Sequence, residues 1–272
     1  MKVWLDGTLV AQESARVSVF DHAFLLGDGV FETLRVYGGE PFALEEHVAR
    51  LRHSLEAMRI PAPGADLEQA VRAVLGVNGL GDARVRITVT SGVGPPGLAR
   101  GTGPATILVV ALPLTPWPPT CTAIVSRLRR DEHSPLAGVK TTSLAESVIA
   151  LADARDAGAD EALLLNTAGN LCEASTANLF VVRDGVAVTP PLDSGCLAGI
   201  TRAHVLALGA VERTLSGEDL MRAEEAFLTS STRELQPLVA VDGQAIGSGT
   251  PGPVTQELAR AYSGMVTRRS SG

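Results

Sequence analysis

The stretch Ala83-Arg84-Val85-Arg86-Ile87-Thr88-Val89-Thr90 alternates apolar and polar residues without a break. Side chains of a strand point alternately to its two faces, so the pattern reads as a strand with Val85, Ile87 and Val89 toward a core. Arg84, Arg86 and Thr88 then share the other face. The uncharged run 105–112 is a ready partner beside it. Pro113, Pro116, Pro118 and Pro119 follow, and such a run continues neither a ladder nor a helix. A linker over 113–119 is therefore expected, between a small N-terminal domain (1–112) and a larger one (120–272).

Outward from this point, residues 2–5 and 8–11 read as a hairpin around Asp6-Gly7, 30–37 as a strand turning at Gly38-Gly39, and 44–58 as an amphipathic helix. After the linker, 122–128 reads as a strand and 143–155 as a helix, with 161–165 and 179–182 as strands about the turn Ala168-Gly169-Asn170. Residues 201–208 look helical, Ser216 with Asp219 resembles a capping box, and 226–229 is a buried strand. The expected class is α+β: a small α/β N-terminal domain and a larger, mostly antiparallel domain with helices outside. The tail from Arg268 is expected to fray. The loop Ser91-Gly92-Val93-Gly94-Pro95-Pro96-Gly97 reads as a flexible turn, because its prolines and the lack of a following helix argue against a dinucleotide fingerprint.

Composition removes several function classes. A net charge of -7 with both signs interspersed leaves no basic face for nucleic acid. The longest apolar run, 107–112, is far below the roughly 18 residues of a membrane span. The first residues lack the charged-then-apolar pattern of a signal peptide, so a cytoplasmic location is expected. Cys121, Cys172 and Cys196 are odd in number and widely spaced, which fits buried thiols rather than a disulfide framework or a zinc site. His22, His47, His53, His133 and His204 show no metal-ligand spacing, and no Gly-x-Ser-x-Gly elbow is present.

Of the 23 basic residues only Lys2 and Lys140 are lysine. Arginine supplies charge but does not lose its proton near neutral pH to attack a carbonyl, so the one internal lysine is a candidate nucleophile. Three further features are able to hold an anion. Gly199-Ile200-Thr201 opens a helix, whose first N–H groups lack partners. Thr229-Ser230-Ser231-Thr232 is a hydroxyl-rich turn after a buried strand, and Arg50 lies one turn beyond His47.

Six strings then carry a family resemblance: Gly27-Asp28-Gly29-Val30-Phe31-Glu32, His47-Val48-Ala49-Arg50-Leu51, Lys140-Thr141-Thr142, Glu173-Ala174-Ser175-Thr176-Ala177-Asn178-Leu179-Phe180, Leu197-Ala198-Gly199-Ile200-Thr201-Arg202, and Phe227-Leu228-Thr229-Ser230-Ser231-Thr232. In order and spacing they resemble the fold-type IV pyridoxal-phosphate enzymes, the class-IV aminotransferases. That family includes branched-chain and D-amino acid transaminases, (R)-selective amine transaminases and 4-amino-4-deoxychorismate lyase. The resemblance implies pyridoxal 5'-phosphate bonded to Lys140, with Glu173 facing the pyridine nitrogen and Leu197 packed on the ring. It also implies Arg50, Gly199, Ile200, Thr201, Ser231 and Thr232 around the phosphate, and a homodimer.

Which reaction follows turns on local features. Thr33 after Phe31-Glu32, and the glycine-rich loop 91–97, resemble the lyases, so release of 4-aminobenzoate and pyruvate from 4-amino-4-deoxychorismate is the first expectation. The alternative is a transaminase for branched-chain or D-amino acids or (R)-amines. Thr33, Arg35, Arg100 and Arg233 are the candidates for substrate contact. Leu144 stands where many relatives carry Tyr or Arg against the cofactor.

Overall fold

A computed structural model describes residues 1–270. The chain divides into two units, Met1–Thr115 with Val139–Leu144, and Pro116–Gly138 with the residues from Ala145 onward. The sequence placed Lys140 in the later domain. Its segment groups instead with the first unit, because the Phe31 N–H donates to the Lys140 carbonyl (3.0 Å) and the Thr142 N–H to the Gly29 carbonyl (2.8 Å).

The first unit opens with the expected hairpin of β1 (Lys2–Leu5) and β2 (Thr8–Ala11), followed by a short α1 (His22–Leu26). Then come β3 (Gly29–Tyr37), β4 (Glu40–Pro41), α2 (Leu44–Ala57), α3 (Leu67–Asn78), β5 (Ala83–Thr90) and β6 (Ile107–Pro113). The sheet runs β2-β1-β6-β5-β3-β4, antiparallel at every pair. Val30, Leu34, Val36, Val85, Ile87 and Val89 form its inner face and bury Val48, Leu51, Val71 and Val74 of α2 and α3. Each such side chain contributes roughly 1.5–3 kcal/mol by leaving water. The helix α3 is not among the elements expected from the sequence, although Asp66 caps it and Leu67, Ala70, Val71, Val74 and Leu75 recur at helical spacing. Pro113 pairs with Ala83, so β6 takes the first proline of the expected linker; at a strand end its missing N–H breaks no ladder.

The loop 91–97 is fastened rather than flexible. His22 Nε2–H donates to the Pro95 carbonyl (3.0 Å), the His22 N–H to Gly92 (3.0 Å) and the Gly94 N–H to Phe20 (3.2 Å). Buried His22 occupies the space that a Cβ at Gly94 needs, 2.4 Å from its ring.

The second unit contains β7 (Cys121–Arg130), α4 (Ala145–Asp156), β8 (Glu161–Asn166), β9 (Leu171–Ala174), β10 (Asn178–Arg183), β11 (Val186–Thr189), α5 (Ile200–Ala207), β12 (Val211–Glu212), α6 (Gly217–Met221), β13 (Glu225–Ser230), β14 (Glu234–Val241), β15 (Gln244–Ala245) and α7 (Pro253–Ser270). Its sheet runs β12-β11-β10-β13-β14-β7-β8-β9, with β15 added on β14. Most pairs are antiparallel, and β14 with β7, β7 with β8, and β11 with β12 are parallel. The partner of β8 across the Ala168-Gly169-Asn170 turn is the short β9, not the strand at 179–182. The Ser216–Asp219 capping box is present on α6. The tail from Arg268, expected to fray, stays helical to Ser270; Ser271 and Gly272 lie outside the described residues.

All three cysteines are free and buried, and burial pushes the Cys121 thiol up to about 12 and that of Cys196 to about 11. Among the described residues no group of three metal-binding side chains occurs, and no helix is long and apolar enough to cross a membrane.

Candidate active site

In the first unit the Lys140 segment lies over the start of β3. Thr142 Oγ1 donates to the carbonyls of Gly27 (2.8 Å) and Gly29 (3.1 Å), and the Lys140 N–H donates to Ser54 Oγ of α2 (3.2 Å). This explains the two glycines of the first motif. A Cβ at Gly27 meets Ser143 Oγ at 2.6 Å and φ there is +71°, while one at Gly29 meets Thr142 Oγ1 at 3.1 Å. With its backbone held at both ends, half-buried Lys140 sets its Nζ 4.6 Å from the Phe31 ring centroid.

The face of β3 and β5 turned away from α2 and α3 carries Thr33, Arg35, Arg84 and Arg86, with Thr33 opposite Arg86 and Arg35 opposite Arg84. The Arg86 guanidinium also lies on the Phe31 ring, 3.8 Å from its centroid. Loss of water there, together with the like charge of Arg84, lowers its pKa. In the sequence Arg86 is only the polar half of an alternation; its place on the ring that meets the lysine amine is not legible there. Arg35 stacks on Tyr37, and Arg100 is committed to Asp28 (2.6 and 2.7 Å) and to the carbonyls of Met58 and Arg59.

Beneath that face, Glu32 is fully buried. Arg50 donates to it through Nε (2.7 Å) and Nη2 (2.8 Å), and His47 Nδ1 lies 2.7 Å away. Burial pushes the Glu32 carboxyl up, but the bonds and charges of Arg50 and His47 outweigh it and hold the group down at about 2. Burial lowers the His47 pKa against the pull of Glu32. Both residues stood inside quoted motifs, yet no sequence signal paired them.

In the second unit Glu173, at the end of β9, accepts the Leu197 N–H on Oε2 (3.0 Å) and faces Arg130 of β7 on Oε1 (3.3 Å). Arg130 went unnoticed in the sequence, because β7 brings it to Glu173 across 43 residues. Asn178 Nδ2 donates to the Leu197 carbonyl (2.9 Å) and so holds the segment leading into α5. That helix starts at Gly199 with no side chain capping its first N–H groups, and Thr201 is buried there. α5 packs on β13, where the buried Thr229 hydroxyl has no partner. Ser231 and Thr232 form the turn that follows.

These residues fit pyridoxal 5'-phosphate: an uncapped helix start and an orphaned hydroxyl suit a phosphate, and a braced carboxylate suits a pyridine nitrogen. Arg233 does not fit the role of substrate anchor. It is buried, bonds Glu161 (2.6 Å), Thr176 (2.8 Å) and Gln236 (3.1 Å), and lies on Trp117, so its guanidinium is used inside the unit.

Comparison with known proteins agrees with the fit. The model of the family described as amino-transferase class IV matches residues 29–241. A candidate branched-chain-amino-acid aminotransferase of Methanocaldococcus jannaschii is 38% identical over 98% of this chain and 97% of that protein. A D-alanine aminotransferase of Bacillus licheniformis is 31% identical over 98% and 97%. Among solved structures, a T.th. branched-chain amino acid aminotransferase complexed with N-(5'-phosphopyridoxyl)-L-glutamate aligns with a TM-score of 0.91 at 34% identity, over 98% of this chain and 94% of that one. A Legionella pneumophila protein named for the 4-amino-4-deoxychorismate lyase activity is 24% identical with a TM-score of 0.87, over 93% of this chain and 96% of that one, a likeness of fold alone. The leading expectation from the sequence was that lyase, and the relatives favour its alternative. This chain belongs to the class-IV aminotransferases and is a pyridoxal 5'-phosphate-dependent enzyme.

Proposed function

We propose that the protein is a transaminase for branched-chain L-amino acids that uses a dicarboxylic amino acid as its second substrate. The observation that carries this reading is the full-length likeness to proteins named as branched-chain aminotransferases, at 38% identity for the first of them. Arg86 supports the dicarboxylic half: a guanidinium on the same aromatic ring as the lysine amine is placed to take a second carboxylate.

Pyridoxal 5'-phosphate supplies the sink for the electrons left at the substrate α-carbon when its proton departs. Lys140 would carry the cofactor through Nζ, and the same amine, when free, would take the substrate α-proton and return it. Glu173, aimed by the Leu197 N–H and Arg130, would face the pyridine nitrogen and keep it protonated, with Leu197 against the ring. The backbone at Gly199 and Ile200, with Thr201, Ser231 and Thr232, would hold the phosphate, and Arg50, already bonded to Glu32, would lend it positive charge. Work in the cytoplasm as a homodimer belongs to the same reading, and the exposed Phe24, Leu25 and Leu26 of α1 support an apolar partner surface.

The test is to supply the cofactor-loaded protein with L-leucine and 2-oxoglutarate and follow glutamate, with D-alanine and 4-amino-4-deoxychorismate in parallel. Glutamate formation from L-leucine, with a borohydride-trapped adduct on Lys140, is the expected result. Turnover of D-alanine alone, or release of 4-aminobenzoate, would replace the substrate assignment.

A further inference from the structure

We infer that Glu161 is a positioning residue for the phosphate of the cofactor: it ties the turn after β13 to the turn that directly follows Glu173 and β9. The inference rests on the reading above that these turns hold pyridoxal 5'-phosphate.

Glu161 begins β8 and is 2% exposed, and its partner Arg233 is 6% exposed. Both carboxylate oxygens are used. Oε2 accepts from Ser175 Oγ (2.5 Å), and Oε1 accepts from Arg233 Nη2 (2.6 Å) and from Thr176 Oγ1. Arg233 Nη2 also reaches Thr176 Oγ1 (2.8 Å), while Nη1 bonds Gln236, whose amide donates to the Pro118 carbonyl (2.8 Å). Ser175 stands two residues after Glu173, and Arg233 directly follows Thr232. One buried carboxylate therefore bonds side chains that flank the pyridine-facing Glu173 and the hydroxyl-rich turn, partners that lie 14 and 72 residues away along the chain.

A buried ion pair adds little net stability over apolar side chains of the same volume, since burial strips both charges of water. What the pair supplies here is geometry. The turn after Glu173 has other bonds of its own, with the Ser175 N–H on the Ala162 carbonyl (2.8 Å) and the Ala174 N–H on the Ala177 carbonyl (2.8 Å). The Arg233 N–H has a weaker one, to Ser230 Oγ at 3.4 Å. The pairing of Ser230 with Glu234 closes the base of that turn, so loss of Glu161 frees its Arg233 end, while the turn after Glu173 keeps both backbone bonds.

The test compares wild type, Glu161→Gln, and the double variant Glu161→Gln/Arg233→Met, in which no buried charge is stranded. Each apoprotein is assayed by equilibrium dialysis for binding of pyridoxal 5'-phosphate and of pyridoxal, which lacks the phosphate, and by thermal unfolding. Both variants are expected to bind pyridoxal 5'-phosphate at least about tenfold more weakly, while pyridoxal affinity changes less than about threefold. The double variant should regain the melting temperature lost by the single one without regaining phosphate-dependent affinity. Equal losses for both ligands, unchanged affinity, or affinity that returns together with melting temperature would overturn the inference. Absence of a borohydride-trapped adduct on Lys140 in wild type would instead refute the cofactor site itself.

Discussion

Two buried carboxylates, one in each unit, solve the same problem in different ways. Glu32 takes both its partners from α2, where His47 and Arg50 lie one helical turn apart and 15 and 18 residues along the chain. Glu161 gathers a serine and a threonine from one turn and an arginine from another, 72 residues on. The first is a local clamp between a strand and the next long helix, and it sits under the face where Lys140 meets Phe31. The second is a long-range tie between loops. A local clamp joins elements close in sequence, so strand and helix periods bring its residues to facing sides even though no string marks the pair. A long-range tie depends on sheet order, which no short string encodes.

The largest expected effect sets the reference for both. Lys140→Ala should lower kcat roughly 10³-fold or more, because the proposed mechanism makes its amine the reacting group, while circular dichroism stays unchanged. The segment is held by backbone and Thr142 bonds that the substitution leaves in place. A folded variant with near-normal turnover would break the assignment.

Next in size, Glu32→Gln strands the Arg50 charge against a neutral amide and should destabilise the first unit by about 3 kcal/mol, read from the denaturant midpoint. The same clamp predicts an acid limit. With a folded pKa of about 2 against an ordinary value of 4.5, Glu32 contributes its full stability above about pH 4.5 and loses it as pH falls toward 2. His47, whose pKa burial lowers, acts in the same direction, since a neutral imidazole must charge on acidification. Wild type should therefore lose stability across that window and Glu32→Gln should lose much less; parallel acid curves would mean the clamp is not what acid breaks.

A smaller effect probes the second unit. A Cβ at Gly199 lies 2.0 Å from Asn178 Oδ1, so Gly199→Ala must push Asn178 away from Leu197. Overpacking of this kind costs about 1–3 kcal/mol, and cofactor affinity should fall by roughly the same measure. Gly199→Ala with wild-type affinity would remove Asn178 from the support of the site. The smallest effect concerns the substrate: Arg86→Gln should raise KM for 2-oxoglutarate about tenfold, near 1.4 kcal/mol, and leave KM for L-leucine nearly unchanged.

Much of the fold was legible because its signals are periodic. The alternation at 83–90 gave β5 to the residue, and the apolar spacing at 44–58 gave α2 to within one residue. The strand β9 escaped because four residues carry no period, and α1 because five residues make little more than one turn. The loop at 91–97 reads as a flexible turn in the sequence, but Gly94 makes room there for the ring of His22, a contact between residues 72 apart that no local string encodes. Arg100 and Arg233 looked like substrate anchors in a chain rich in arginine, and each is spent on an internal carboxylate, Asp28 and Glu161.

The sequence by itself determined the α+β class, the singular internal lysine and the order of motifs that marks the family, since each of these is carried by residue type and local spacing. Only the tertiary structure decided which charges meet: Arg50 with Glu32, Arg130 with Glu173, Arg233 with Glu161, and Arg86 with the ring beside Lys140. The physical reason is that a charge in water has many equivalent surroundings, whereas a buried one is stable only with a particular partner, and sheet order rather than sequence distance brings that partner within about 3 or 4 Å.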